Sequence, residues 1–226
     1  DGRQLVSLMR GAPDLPTPGH IVTAAQQALA DGRTGYPDNR GEPTLREAVA
    51  RSISRNGGPE YSPDSAILVT SGATLGIHAA LGAVLDPDDE VLVPEPVYDA
   101  YLSVIIQLGG RPIPVPATLD NGRFTWDPDQ VDAACSPRTR AMLINSPWNP
   151  TGTVLDNDEW LRLLEVARRH DLYVVSDEIY ESICYPGHHH RTPAALSDDA
   201  RQRTIIVNSL SKTYSMTGWK IGRAHV

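Results

Sequence analysis

Short apolar runs separated by longer amphipathic segments dominate the hydrophobic pattern of this chain. Runs bounded by Gly, Pro, Asn or Asp predict buried strands over residues 66–70, 90–93, 111–115, 140–144, 172–176 and 204–208. Helical spacing predicts helices over 20–31, 43–55, 75–85, 98–108, 129–135 and 159–170, the last capped by Asp156 or Asn157. The polar segments 118–127 and 186–200 are interpreted as loops. This alternation predicts an α/β fold with a mostly parallel sheet.

Polar or reactive side chains follow several of the predicted strands. They are found in the Ser71-Gly72 turn, at Tyr98, Asn149, Asp177 and Tyr180, and in the hydroxyl-rich loop around Lys212. In a parallel sheet, the carboxyl ends of the strands face one crevice, so we expect a single site there. Lys212 stands just past a buried strand, which suits an amine that must form a Schiff base.

Composition is that of an ordinary globular protein, with 40% hydrophobic and 21% charged residues. The net charge of −8 argues against a nucleic-acid partner. No apolar stretch is long enough for a membrane span, and no signal peptide is visible, so we expect no membrane partner. The two cysteines, Cys135 and Cys184, lack metal-site spacing and suggest a reducing compartment. We therefore expect a cytoplasmic protein.

A histidine triplet at 188–190 raises the question of a metal. No carboxylate or cysteine stands at ligand spacing along the sequence beside it. We therefore expect no metal site.

The groups at the strand ends fit one cofactor chemistry. A lysine forms an imine with an aldehyde, and a buried carboxylate keeps a pyridine nitrogen protonated, which makes the ring an electron sink. A phenol and an amide hydrogen-bond the ring oxygen, and an aromatic side chain stacks on the ring face. A helix N-terminus with hydroxyls and a cation holds a phosphate. The sequence therefore predicts a pyridoxal 5′-phosphate site.

Three motifs support this prediction. Residues 146–152 read Ser-Pro-Trp-Asn-Pro-Thr-Gly, residues 176–180 read Ser-Asp-Glu-Ile-Tyr, and residues 209–212 with 218–220 read Ser-Leu-Ser-Lys and Gly-Trp-Lys. Asn149 and Asp177 are 28 residues apart, and Asp177 and Lys212 are 35 apart. In this order, the motifs are those of a known enzyme family.

The chain resembles the class I/II aminotransferases of the fold-type I pyridoxal-phosphate enzymes, and the resemblance runs from Gly11 to Gly222. It implies a three-layer α/β/α large domain. It also implies that residues 1–35 belong to the small domain and substrate-side arm, and that residues 36–226 form the cofactor-binding large domain. Family members continue into a C-terminal small domain that has no counterpart here, so the large domain is expected to be incomplete.

The resemblance also implies the roles of individual residues. Lys212 forms the Schiff base and shuttles the proton, and Asp177 pairs with the pyridinium nitrogen. Tyr180 and Asn149 hydrogen-bond the ring oxygen, and Tyr98 stacks on the ring. The implied phosphate contacts are Gly72, Ala73, Thr74, Ser209, Ser211 and Lys220.

Two further residues extend the implied site. Tyr36 matches a tyrosine that reaches the phosphate of a neighbouring subunit, which implies a homodimer for the full-length protein. Gly11, with Asn149, lies near the substrate carboxylate in the family. Lys220 replaces the common arginine and loses its bidentate fork, and Ala73 carries a methyl where some relatives have a hydroxyl.

The expected reaction is ping-pong transfer of an amino group from an amino acid to a 2-oxo acid. A β-lyase on the same scaffold, a non-catalytic sensor module and a fragment that is inactive alone remain alternatives. The family places another strand beside the strands over 66–70 and 204–208, and without it both keep open edges. We therefore expect the isolated chain to be poorly stable or to aggregate.

The last residues, 221–226, are what ATC GGA AGA GCA CAC GTC encodes. That string is similar to a common sequencing adapter. We therefore expect the gene to have been cut near Lys220, with a tail that is not native.

Overall fold

The computed structural model describes residues 11–220, which form a five-stranded sheet with helices on both faces. The elements are α1 (Gly19–Ala30), α2 (Pro43–Arg55), α3 (Ala73–Gly82), β1 (Glu90–Glu95), α4 (Ala100–Gln107), β2 (Arg111–Pro116), β3 (Thr118–Asp120), β4 (Arg123–Thr125), α5 (Pro128–Ala134), β5 (Thr139–Asn145), α6 (Asn157–Arg169), β6 (Tyr173–Asp177), α7 (Asp198–Arg203), β7 (Thr204–Val207) and α8 (Leu210–Thr213), with a 3₁₀ turn at Pro193–Ala195. Residues 1–10 and 221–226 lie outside the described residues. The expectation of a non-native tail concerns residues 221–226 and therefore also falls outside them.

The sheet has the strand order β2-β1-β5-β6-β7, and every neighbouring pair is parallel. Asp177 at the end of β6 lies opposite Asn145 in β5 and Val207 in β7. The carboxyl ends of these three neighbouring strands therefore lie side by side. The prediction of an α/β fold with a mostly parallel sheet is confirmed.

Alternating side chains of the strands fill two separate cores. On β5, Met142 packs with α5 and α6 on one face, and Leu143 packs with α3 and α4 on the other. Both side chains are fully buried. Because both faces are covered by helices, the strands read as continuous apolar runs rather than as an alternating pattern. The result is a three-layer α/β/α arrangement.

The start of α6 follows from local hydrogen bonding. The Asp156 side chain accepts from the Glu159 amide at 2.8 Å, and the Glu159 carboxylate accepts from the Asp156 amide at 2.9 Å. This reciprocal capping box satisfies two backbone donors that the helix leaves free. The Arg123 guanidinium adds a bidentate ion pair to Glu159, at 2.7 and 2.6 Å. Of the two predicted caps, Asp156 is the correct one.

The predicted strand over 66–70 is wrong, because these residues do not form part of a sheet. An apolar run becomes a strand only when a neighbouring strand satisfies its backbone groups. Within the described residues, β6 is the only strand that pairs with β7, and no strand pairs with 66–70. Leu68 accordingly keeps 57% of its surface exposed.

Two predicted loops contain regular structure. Segment 118–127 includes the antiparallel hairpin β3–β4, whose turn residues Asn121 and Gly122 have φ values of 48° and 80°. Asn-Gly is the sequence that favours this turn, and the signal was missed. Segment 186–200 contains the 3₁₀ turn and the start of α7, where the Ser197 hydroxyl accepts from the Ala200 amide at 3.0 Å.

The N-terminal part of the described chain is less embedded. Helix α1 has no buried residue. The division of the chain between residues 35 and 36 stays a prediction. Within residues 11–220, no helix has the length and apolar character that a bilayer crossing requires.

Candidate active site

The Asp177 carboxylate is buried at the end of β6 and is 3% exposed. One oxygen accepts from the Ile179 amide at 3.2 Å, and the other accepts from the Tyr101 hydroxyl. Burial raises the pKa of Asp177 to about 6, although both hydrogen bonds act to lower it. No Lys, Arg or His within residues 11–220 forms an ion pair with this carboxylate. The donor set therefore suits a small cationic group brought in by a ligand.

Lys212 lies on α8, directly after β7, the neighbour of the Asp177 strand. Its Nζ donates to the Gly11 carbonyl and lies 5.4 Å from the centroid of the Tyr180 ring. Partial burial, and then the nearby charge of Lys220, lower the pKa of Lys212. A lowered pKa increases the neutral, nucleophilic fraction of the amine.

A positively charged corner forms where α3 begins. Gly72 precedes the helix with a φ of 93°, and a Cβ at this position would lie 2.5 Å from Lys220 Cε and 2.8 Å from its Nζ. The lysine therefore lies against the glycine and the free amides of the helix start. Lys220 forms no ion pair with another residue of the described chain. A cation and a helix N-terminus at one place favour an anion such as phosphate.

Small residues surround this corner, and two of them hydrogen-bond each other. Ala73 is buried at the first position of α3, and Thr74 is exposed in the same turn. The Ser209 hydroxyl accepts from the Ser211 amide at 3.1 Å and donates to its hydroxyl at 2.9 Å. The two serines thus fix the entry to the lysine loop, which we define as residues 208–220. Lys212 and Lys220, both in this loop, are the only lysines in the sequence.

Asn145 links two of the predicted site segments. Its side-chain amide donates to the Asp177 carbonyl at 2.8 Å, and its side-chain oxygen accepts from the Asn149 amide at 2.7 Å. Asn149 is half-buried. Sequence reasoning missed Asn145, although an asparagine at the end of a buried strand is a recognisable polar exception.

Tyr98 lies at the mouth of the site and keeps 40% of its surface exposed. Its ring meets the Tyr101 ring edge-on, with centroids 5.4 Å apart. Tyr180 is half-buried, and burial together with the charge of Asp177 raises the pKa of its hydroxyl. Sequence reasoning also missed Tyr101, which stands one helical turn after Tyr98 and is fully enclosed.

Residues 11–18, which we call the N-terminal segment, contact the lysine loop. The Thr17 hydroxyl donates to the Ser215 carbonyl at 2.6 Å and accepts from the Trp219 indole at 3.0 Å. Gly11 lies beside Tyr180, since a Cβ at Gly11 would be 3.8 Å from the Tyr180 hydroxyl. Tyr36 is fully exposed in this single chain, so its contact with a neighbouring subunit stays a prediction.

Comparison with known proteins identifies the family. The family model for class I and II aminotransferases matches residues 3–226. This chain belongs to the class I and II aminotransferases. A probable aspartate/prephenate aminotransferase of Thermus aquaticus is 44% identical over 99% of this chain and 57% of its own length. The aspartate aminotransferase of Bacillus subtilis is 39% identical over 99% of this chain and 56% of its own length.

The aminotransferase fold is equally clear from solved structures. The N-succinyldiaminopimelate aminotransferase of Mycobacterium tuberculosis superposes with a TM-score of 0.91 at 40% identity, over 94% of this chain and 55% of that one. The expected fold-type I large domain is therefore confirmed. The chain spans little more than half the length of the relatives that it matches.

A second polar cluster surrounds Glu178, the residue that follows Asp177. Glu178 is buried and accepts from Ser176 and Thr192 at 2.9 and 2.8 Å, while His190 Nε2 lies 2.8 Å from its other oxygen. Glu181 is near enough to share a ligand with this pair. Folding thus brings carboxylates to His190 that the linear spacing does not reveal. Ser176 and Thr192 donate to the same Glu178 oxygen, and the absence of a metal stays a prediction.

Proposed function

We propose that the protein containing this chain is a pyridoxal-phosphate-dependent aminotransferase that moves an amino group from an amino acid to a 2-oxo acid by a ping-pong mechanism. The observation that carries this proposal is the placement of Lys212 and the buried Asp177 carboxylate at the ends of neighbouring strands. Membership of the aminotransferase family supports it. No observation favours a lyase or a sensor.

The residues present fit pyridoxal phosphate. When bound, the cofactor supplies an aldehyde for the amine and an aromatic ring that draws electrons from the substrate Cα. Asp177 would bind the ring nitrogen, and its lack of a cationic partner within residues 11–220 fits that role. Asn149 and Tyr180 would hold the ring oxygen, and the exposed ring of Tyr98 would cover one face of the cofactor.

The phosphate would lie in the positively charged corner. Its proposed ligands are the backbone amides of Gly72 and Ala73, Thr74, Ser209, Ser211 and Lys220. Helix α3 has ten residues, which gives its first amides a substantial dipole field. Lys220 adds a point charge, although it lacks the two-pronged geometry of arginine.

Lys212 would move the proton. Its lowered pKa gives a larger neutral fraction of Nζ. A neutral Nζ can accept a proton from the substrate Cα and then donate that proton at a second atom. The Tyr180 hydroxyl, whose pKa is raised, stays protonated and remains a donor. Gly11 and Asn149 would lie beside the substrate carboxylate.

For the substrate we propose a chemical class, and for the assembly a homodimer. The names of the relatives include aspartate, prephenate and N-succinyldiaminopimelate, so they support transfer between amino acids and 2-oxo acids without singling out one pair. We infer a homodimer, in which Tyr36 would reach the neighbouring subunit. The two free thiols fit a reducing compartment such as the cytoplasm.

Cofactor attachment is the first test. The full-length gene product is mixed with pyridoxal phosphate, reduced with borohydride and digested, and the modified lysine is located by mass spectrometry. We expect the label on Lys212 and its loss in Lys212→Ala. Lys220→Ala is the matched control, which should keep the label and weaken cofactor affinity about tenfold. A label that persists in Lys212→Ala would contradict the proposal.

The half-reaction is the second test. Given an amino acid and no acceptor, the loaded protein should release one 2-oxo acid per bound cofactor and then stop. Adding a 2-oxo acid should restart turnover, because ping-pong transfer needs the second substrate to regenerate the enzyme. Continuous release of ammonia without an acceptor would instead indicate a lyase.

A further inference from the structure

Tyr101 has a contact that neither its position in the sequence nor the assigned roles explain. It lies in the first turn of α4, is 3% exposed, and donates its hydroxyl to the Asp177 carboxylate. The two residues are 76 positions apart in the sequence. Within residues 11–220, this hydroxyl is the one side-chain donor to that carboxylate.

The same side chain supports a second part of the site. Its ring meets Tyr98 at an interplanar angle of 90°, with centroids 5.4 Å apart. An edge-to-face pair of this kind fixes both rings, because each loses favourable contact when it tilts. Tyr101 therefore contacts the Asp177 carboxylate with its hydroxyl and the Tyr98 ring with its own ring.

We propose that Tyr101 is a positioning residue, which fixes Asp177 and Tyr98 relative to each other and orients the Asp177 carboxylate for the cofactor ring nitrogen. This inference rests on the proposed function. Tyr101 itself would touch neither the substrate nor the reacting atoms. It acts through the two side chains that it holds.

The electrostatic argument follows from the groups that surround Asp177. Burial raises the pKa of Asp177, and the neighbouring charge of Glu178 raises it further. The Tyr101 hydroxyl and the Ile179 amide are the two donors that lower it. Burial and the negative charge of Asp177 hold the pKa of Tyr101 well above its usual value, so the phenol remains a donor at neutral pH. Removing its hydroxyl would leave one oxygen of a buried carboxylate unpaired.

The main test replaces Tyr101 with phenylalanine in the full-length protein. The ring stays in place and the hydroxyl is lost. In the cofactor-free protein labelled with ¹³C-aspartate, the carboxyl pKa of Asp177 should rise by about 1 to 2 units. Affinity for pyridoxal phosphate should fall about tenfold, and the absorbance of the bound cofactor should change with pH at a shifted midpoint.

Tyr173→Phe is the matched control. Tyr173 begins the strand that ends at Asp177, and its hydroxyl makes no hydrogen bond to another residue of the described chain. The same chemical change there should leave the Asp177 pKa and the cofactor spectrum unchanged. An equal effect of both variants would show a general loss of packing and overturn the inference.

A second variant covers the case in which Tyr101→Phe does not fold. Incorporation of 3-fluorotyrosine at position 101 keeps the shape and makes the phenol a stronger donor. The pKa of Asp177 should then fall instead of rise. A shift of opposite sign from the same position is a result that a purely structural role does not produce, and an unchanged pKa would overturn the inference.

Asp177→Asn separates failure of the inference from failure of the proposed function. If Asp177→Asn changes the cofactor spectrum and Tyr101→Phe does not, the proposed function stands and the role of Tyr101 is wrong. If neither Asp177→Asn nor Lys212→Ala changes the spectrum, the proposed function fails and the inference falls with it.

Discussion

The two edges of the sheet are built differently. At one edge, β2 has prolines at 112, 114 and 116, and its Arg111 amide and the Ala117 amide that follows it donate towards β1. Because backbone groups alternate in direction along a strand, the three prolines occupy the outward positions and present no free N–H. At the other edge, β7 reads Thr-Ile-Ile-Val and has no such protection.

This difference shows which edge suits further pairing. Val207 accepts from the Glu178 amide, so Val207 and Ile205 face β6 and the backbone of Ile206 faces outward. Lys212 follows directly on this unprotected strand, whereas Asp177 lies on β6, which has neighbours on both sides. Asp177 is therefore positioned by a strand in the interior of the sheet. The position of Lys212 depends on β7, the strand at the unprotected edge.

The largest expected effect concerns residues 1–226 produced alone. The uncovered edge of β7, with Leu68 and Leu75 at 57% and 47% exposure, should make this chain aggregate or melt without a cooperative transition. Calorimetry and size-exclusion chromatography test this, with the full-length gene product as control. A sharp cooperative melt of the isolated chain at moderate temperature would remove the contrast between the two edges.

Proline substitution on β7 sharpens the contrast. In the full-length protein, Ile205→Pro removes an N–H that faces β6 and should cost about 3 kcal/mol of unfolding free energy. Ile206→Pro should cost a similar amount, because the family resemblance places another strand on the outward side. Urea denaturation measures both. A near-neutral Ile206→Pro would show that β7 stays an edge in the full-length protein.

Asp177→Asn should stabilise the cofactor-free protein at pH 8 by about 3 kcal/mol. Burial raises the pKa of Asp177 from 3.8 to about 6, so the protonated acid stabilises the fold at low pH, and this contribution is lost as the pH rises through about 6. The neutral amide avoids that loss, and the Tyr101 hydroxyl can accept from it. The gain should vanish near pH 4 in urea titrations, with exposed Asp120→Asn as the control.

Pro114→Ala on β2 should have the smallest effect. It restores one outward N–H and adds freedom to the unfolded chain, so it should lower the unfolding free energy by about 0.5 to 1 kcal/mol. Self-association at high concentration should increase slightly, because one position of the protected edge is opened. A loss near 3 kcal/mol would mean that this edge is not free in the full-length protein.

Most of the fold was predictable because buried parallel strands have an unmistakable pattern. The strands over 140–144 and 172–176 were predicted within a residue of β5 and β6, since both faces of each are apolar. The strand over 66–70 has the same pattern but no neighbour in the described chain, and composition does not reveal a neighbour. The hairpin at 118–125 is short and polar, so only its Asn-Gly turn marked it.

The candidate site was predictable where a motif fixes both residue type and spacing. Lys212 and Asp177 lie at neighbouring strand ends, as expected. Tyr101 and Asn145 were not found, because each looks like an ordinary residue of a helix or strand. Each matters because of a hydrogen bond to Asp177, which is 76 residues from Tyr101 and 32 residues from Asn145 in the sequence. Only the tertiary structure shows these contacts.

The contacts of the N-terminal segment with the lysine loop have a consequence for biosynthesis. Thr17 meets Ser215 and Trp219, which follow it by 198 and 202 residues. On the ribosome, these contacts cannot form until the lysine loop has left the exit tunnel, whereas β1, β2 and β5 are already available. The N-terminal segment is thus synthesised before the lysine loop and docks only after it. A nascent chain arrested before residue 215 should therefore expose the N-terminal segment to protease, and release of a longer chain should protect it.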